Sequence, residues 1–392
     1  LKENGGIKMH AKRIEEIRTG NDSLFQAAIF IDASYEGDLM AQSGVSYTWG
    51  REGMDRYHES LAGVRPKDPN HQFDFPVSAF DEARNLLPEI QLGARGELGA
   101  GDQKIQAYNF RMILTQERDN RVPFPRPSDY RAERYELLRR FLSEFSRKEG
   151  RPPRLDEILL PREIANGKWD FNNRGPFSTD YIGGSWDYPN ASYQRRREIW
   201  RDHIDYTQGV FYFLAHDPGV PKPLQEALNE FGLAKDEFVE HEHWPHQLYV
   251  RESRRMVGDF VITQKDIQTQ LTKADVIGMG SYNSDSHNVQ RYVTEQGHAQ
   301  NEGNMEVPVT PYQIPFRMML PRKTQVTNLL VTVCFSASHV TYSTLRMEPV
   351  YMIIGQAAGV AASMAIAAKA PLYEIDTTAL TAILRSQGAI IE

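Results

Sequence analysis

The residue types with the greatest chemical reach crowd into one short stretch. Ser336, Ser338, His339, Ser343 and Arg346 form a polar loop between an apolar strand at 329–333 and a small-residue helix that follows Pro349. Arg346 is a cation suited to a developing negative charge, and the His339 imidazole is a group that can handle a proton. A helix N-terminus beside them adds a dipole and free amide donors. Within that helix, Gly355, Gln356, Ala357, Ala358 and Gly359 give a surface low enough to lie against a sheet or a flat ligand.

Three further groups could do chemistry. Tyr282, Asp285 and His287 follow an apolar run, and residues two apart on a strand share a face. A carboxylate beside His287 could orient it as a base for substrate deprotonation, or the two could form a structural pair. Tyr108, Asn109 and Arg111 fall on an apparent strand at 105–115, where Asn109 and Arg111 could hold an anionic or polyhydroxylated substrate or enter an internal salt bridge. Asp32, Ala33, Glu36, Gly37 and Asp38 stand at the carboxyl end of an apolar strand. There they either approach a ligand or simply cap the helix expected from Glu36. His241, His243 and His246 invite a zinc reading, but the acids around them suit a solvated turn, and no metal is expected.

The elements that must position these groups alternate along the chain. Residues 11–48 read as strand, turn, a buried strand ending at Asp32, and a short helix stopped by Gly44. Residues 129–148, 191–217 and 223–233 carry apolar side chains at helical spacing. Residues 274–345 read mostly as strands, and 378–386 as a closing helix. Two α/β-like ends flank a helix-rich middle, so one domain interrupted by a long insertion is expected.

Composition narrows the function. The chain has 392 residues, room for about two or three domains. It carries 45 basic and 52 acidic residues, a net charge of −7 that argues against a broad nucleic-acid footprint. The lone cysteine, Cys334, excludes an intrachain disulfide framework and reads as a buried core thiol. No leader is visible at the N-terminus. Residues 349–368 are uncharged for about the length of a bilayer span, but the Ala- and Gly-rich run with Gln356 reads instead as a core helix, apolar all round.

Several segments together resemble a bacterial family of FAD-dependent oxidoreductases. They are residues 30–52, 101–115, 120–140, 244–259, 278–292 and, most specifically, 311–365 with its GQAAG at 355–359. The resemblance implies an α/β fold with an α+β insertion. A partial, Rossmann-like FAD-binding domain at 1–50 and 274–392 would be interrupted by a mixed, helix-rich substrate domain at 51–273. It implies FAD as cofactor, contacted by Asp32, Ala33, Glu36, Gly37, Asp38, Ser336, Ser338, Arg346 and residues 355–359. A small hydroxylated, carbohydrate-like substrate would meet Tyr108, Asn109, Arg111, Tyr282 and Asp285. It would give a hydride to the flavin, with His339 or His287 as base and Arg346 stabilising the reduced ring. No glycine-rich turn of the G-x-G-x-x-G type follows a strand near the N-terminus, and roughly the first third of a typical member is expected to be missing. The rival expectation is a non-catalytic remnant that serves as a binding module. Compartment and oligomeric state stay open.

Overall fold

The first three strands, β1 (Ile7–His10), β2 (Arg13–Arg18) and β3 (Leu24–Gln26), form an antiparallel sheet at one surface. Next comes β4 (Phe30–Asp32), then helix α1 (Asp38–Gln42), β5 (Tyr47–Thr48) and α2 (Met54–Tyr57). The middle of the chain builds β6 (Ile113–Thr115), β7 (Arg121–Val122), helices α3 (Glu136–Glu149) and α4 (Leu155–Ile158), and the hairpin β8 (Leu159–Ile164) with β9 (Lys168–Asn173). It closes with α5 (Tyr193–His216), α6 (Lys222–Asn229) and β10 (Gly232–Ala234). These strands join as one antiparallel sheet in the order β7-β10-β6-β9-β8.

Strand β11 (Arg255–Met256) pairs with β5, and the short α7 (Gln264–Gln268) follows. Strands β12 (Val276–Gly280), β13 (Ser284–Ser286), β14 (Gln290–Val293), β15 (Ala299–Glu302), β16 (Met305–Val307) and β17 (Tyr312–Pro315) then fold back as nested antiparallel pairs. The chain ends in β18 (Leu329–Val331), α8 (His339–Leu345), α9 (Glu348–Ala368) and α10 (Thr377–Ser386). This computed structural model describes all of residues 1–392.

Three apolar clusters hold these elements. The largest joins α3, α5 and α6 to the five-stranded sheet through aromatic residues such as Phe141, Tyr206, Phe211 and Phe171. A second packs β12, β17, α8, α9 and α10 around Ile314, Phe335 and Ala357. The smallest lies on β4 and β18, from Phe30 to Cys334. Caps fix the helix starts: Ser192 accepts from the Arg195 amide, Ser338 from Thr341, and Asp376 from Thr378 and Ala379.

The helix expectations for 129–148 and 191–217 correspond to α3 and α5. Other boundaries differ, for identifiable reasons. The apolar run at 23–34 is two strands, because β3 pairs with β2 at the surface while β4 pairs in parallel with β18, Ile31 opposite Leu330. Helix α1 starts at Asp38, since Gly37 is left-handed, with φ 66°. Within 105–115 only 113–115 is a strand, and Tyr108 and Asn109 make single bridges to Tyr181 and Tyr249. The helix read to 233 stops at Asn229, and 232–234 is a strand paired with β6 and β7. The polar loop before the last helix is largely α8, made possible by the Ser338 cap. Only β4 and β18 form a parallel strand pair, so the strands do not assemble into a doubly wound sheet.

Helix α9 corrects one more expectation. It is long and apolar enough to cross a membrane, but it is not buried all round: only 33% of its most apolar window is covered. One face, with Ala357, Ala358, Ala361 and Ala365, enters the second cluster. The opposite face shows Met352 and Ile366, which are 72% and 53% exposed.

Candidate functional site

The sequence candidates separate into groups that are engaged inside the fold and groups that face open space. Asp32 belongs to the first. Its buried carboxylate accepts from the Ser34 amide and hydroxyl and, at 2.9 Å, from the Met40 amide near the start of α1. Burial pushes its carboxyl above the usual range. Glu36 accepts from the Tyr188 hydroxyl, and Asp38 bridges Arg196 and Arg254 at 2.7 and 2.6 Å. A side chain on Gly37 would press on Cys334 at 3.0 Å, so close packing and backbone conformation both demand glycine there. Ala33, by contrast, is exposed just past the end of β4.

The loop around His339 is likewise closed. Ser336 donates to the Phe260 carbonyl and accepts from the Gly258 amide, and Ser338 donates to Glu59 at 2.6 Å. Ser343 donates to the carbonyl of Val340. His339 is buried with Nδ1 2.9 Å from Glu252, and its own amide donates to Glu52. Arg255 joins both glutamates and also donates to the carbonyls of Gly50 and Ala337. Burial alone would raise the Glu252 carboxyl, but His339 and Arg255 bring it down to about 2. In both places the fold pairs charged side chains with one another inside the protein.

Tyr108, Asn109 and Arg111 also have partners within the fold. Tyr108 is a core residue whose hydroxyl donates to the Glu252 carbonyl. Asn109 is fully buried beside Thr179. Arg111 is ion-paired with Asp170 and lies over the Tyr249 ring.

Tyr282, Asp285 and His287 behave differently. All three line one polar cavity of about 490 Å³. His287 Nδ1 lies 2.6 Å from Asp180 Oδ2, and its Nε2 lies 3.7 Å from Asp285 Oδ1. Asp285 also accepts from the Tyr282 hydroxyl at 2.7 Å, and its backbone carbonyl accepts from Arg346 at 2.9 and 3.1 Å. Arg346 is therefore joined to this group and not to His339. Behind His287, Arg251 lies 2.9 Å from Asp180. Although burial opposes it, Arg251 and His287 hold the Asp180 carboxyl well below the usual range. Burial, with the Arg251 cation next, pushes the His287 imidazole below the ordinary histidine range. The result is a neutral imidazole with a permanently charged carboxylate on one nitrogen. Nδ1–H then donates to Asp180, which leaves Nε2 as the proton acceptor facing the cavity.

Four residues of this site carried no sequence signal. Asp180 and Arg251 meet His287 only through the fold, 107 and 36 positions away along the chain. His71 and Glu306 line the same cavity, 3.6 Å apart, and His71 is left-handed, with φ 52°, an uncommon state for a non-glycine residue. That conformation is visible only in three dimensions.

The GQAAG segment is split by helix geometry. Ala357 and Ala358 are core, whereas Gly355 and Gly359 are exposed, and a side chain at either glycine would meet nothing within 4 Å. Gln356 reaches Gln387, the residue that ends α10. The bare face runs along β4: at one end Tyr351 meets Tyr35 edge to face at 6.1 Å, and at the other Ala365 and Ile366 share a cleft with Ala28 and Ile29. Between them Ile31 is 39% exposed. Ile31 and Ala33 beside β4 and Gly355 and Gly359 on α9 are thus all exposed, with Arg346 just before the helix. A flat cofactor suits the exposed Ala33 and the glycine face. It does not suit Asp32, Ser336 and Ser338, whose polar atoms are already taken. His241, His243 and His246 occupy a surface turn, and no three ligating side chains in the chain converge as a metal site would require.

Comparison with known proteins gives one match. A family model described as FAD dependent oxidoreductase matches residues 4–384. No curated protein and no solved structure matches the chain.

Proposed function

The chain belongs to the FAD dependent oxidoreductase family, and we propose that it oxidises a hydroxyl-bearing, carbohydrate-like small molecule held in the polar cavity. The observation that carries this reading is His287, open to the cavity on one nitrogen and anchored by Asp180 on the other. When bound, FAD supplies the two-electron acceptor for the substrate hydride. Ala33, Gly355 and Gly359 would hold it, with Arg346 on the side of the cavity.

The work of the chain's own residues follows. His287 Nε2 takes the proton of the substrate hydroxyl, and Asp180 stabilises the imidazolium that forms. Arg346 fixes Asp285 through its backbone carbonyl, so the Asp285 carboxylate and the Tyr282 hydroxyl stay aimed at neighbouring hydroxyls. His339 is not the base in this reading, because its imidazole is buried, with Nδ1 on Glu252 and its backbone amide on Glu52. The division into 1–50, 51–273 and 274–392 draws support from the largest apolar cluster for its middle part, although Met256, Ile262 and Ile267 pack with the terminal parts. Apart from Ala299, the largest draws its buried residues only from the stretch between Phe73 and Val250.

The test is a titration of the purified chain with FAD, followed by dye-linked oxidation of a panel of sugars. Uptake of FAD with turnover that disappears in His287→Asn is the expected result. A chain that stays colourless with added FAD and turns over no hydroxylated compound would remove the reading.

A further inference from the structure

The β8–β9 hairpin contributes a wall of the polar cavity. Leu160 pairs with Asn172, and the alternation of side chains places Leu160, Arg162, Asn172 and Arg174 on one face. All four line the cavity. Both arginines are exposed at its rim, and neither guanidinium has a hydrogen bond or an ion pair within the chain, although most arginines here are paired. Asp170, opposite Arg162 in the hairpin, is taken by Arg111.

The other charges on the wall are accounted for. Glu157 is held by Arg151, Asp285 by Arg346, and Glu306 by His71. Asp74 has no cation partner and Glu306 has only the His71 imidazole at 3.6 Å, so the two free guanidinium groups stand on a wall with two carboxylates that no guanidinium or ammonium pairs. Only 4 of the 21 lining residues are hydrophobic, so the interior favours hydroxyl groups over apolar ones.

Resting on the substrate reading of this cavity, we propose that its ligand is a sugar acid, with the carboxylate held by Arg162 and Arg174 and the hydroxyls directed to His71 and His287. The planar donor fork of arginine matches a carboxylate two bonds at a time.

Calorimetric titration of the chain with glucuronate and galacturonate, against glucose and galactose, tests this. Each acid is expected to bind about tenfold tighter than its neutral counterpart, as charge-assisted bonds imply. The preference should shrink as salt is raised. In Arg162→Gln/Arg174→Gln it should vanish while the neutral sugars bind as before. Equal affinity for acid and neutral sugar in the unaltered chain overturns the anion site and leaves the hydroxyl cavity standing. Absence of binding by all four compounds overturns both. A preference that survives the double substitution overturns the assignment to these arginines. Should the double variant melt early, the two single variants decide, and a preference unchanged in both overturns the proposal.

Discussion

Two histidines, each beside a carboxylate, mark regions that use the same chemistry for opposite ends. Around His339 every partner is buried: Glu252, Glu52 and Arg255 close on one another, and the ring nitrogen Nδ1 is taken. Around His287 the pairing is uneven: Asp180 holds Nδ1 at 2.6 Å, while Nε2 lies 3.7 Å from Asp285, beyond hydrogen-bond reach, in a ring that lines the cavity. The first arrangement stabilises a junction between β11, α8 and the segment before α2. The second, on the proposed reading, keeps Nε2 as the proton acceptor for a substrate hydroxyl. A histidine near a carboxylate in sequence or in space says little by itself. What decides its role is whether the second nitrogen has somewhere to go.

The sharpest way to break this contrast is to remove each centre in turn. His287→Asn should lower kcat/KM by about 10²- to 10⁴-fold, the usual contribution of a general base, while the melting temperature stays near that of the unaltered chain. Activity that survives in His287→Asn would transfer the base elsewhere. Arg255→Met should do the reverse. It strands Glu252 and Glu52 in a buried pocket and is expected to cost about 3–5 kcal/mol by urea unfolding. A stability change below about 1 kcal/mol, the range of exposed pairs, would mean that the closed network contributes little.

A third histidine sharpens the comparison through pH. His203 is buried on α5, with Nδ1 2.7 Å from the Ile199 carbonyl and Nε2 3.1 Å from the Ser185 hydroxyl, and no carboxylate in contact. Burial lowers its pKa from 6.5 to about 4. The folded form therefore stays neutral while the unfolded chain takes up a proton. Stability is fully present above pH 6.5 and is lost as pH falls toward 4, by about 3 kcal/mol from this group. His203→Gln should flatten that part of the urea-unfolding profile between pH 6.5 and 4, and a slope identical to the unaltered chain would exclude His203 as its source.

Much of the fold and part of the site were legible from residues alone. The long helices could be read because apolar side chains recur at helical spacing on α3 and α5. Asp285 and His287 are two apart, although the strand there spans only Ser284–Ser286, and with Tyr282 they line one cavity. The short strands could not be read, since β4 exchanges neighbours within a continuous apolar run. The partners of Arg111 and Asp38 were hidden for a related reason: an ion pair is a property of the fold, and residues 59 and 158 positions apart leave no local trace. His71 and Asp180 were missed for the same cause.

Helix α9 carries the same distinction between engaged and free groups in its smallest form. Ala357 and Ala358 fill the core, while Gly355 and Gly359 stand in open space on an exposed face. Glycine in a helix interior costs about 1 kcal/mol relative to alanine. Nothing within the chain requires it there, because an added methyl group would touch no neighbour. Gly355→Ala should therefore raise stability by about 1 kcal/mol in the ligand-free chain. If a planar cofactor comes close to this face, the same change should weaken FAD uptake, measured by flavin fluorescence quenching. Higher stability with undiminished uptake would place the cofactor away from Gly355, and Gly359→Ala would repeat the question one helical turn further along. The two readouts move in opposite directions only if the bare face of α9 is kept bare for a ligand.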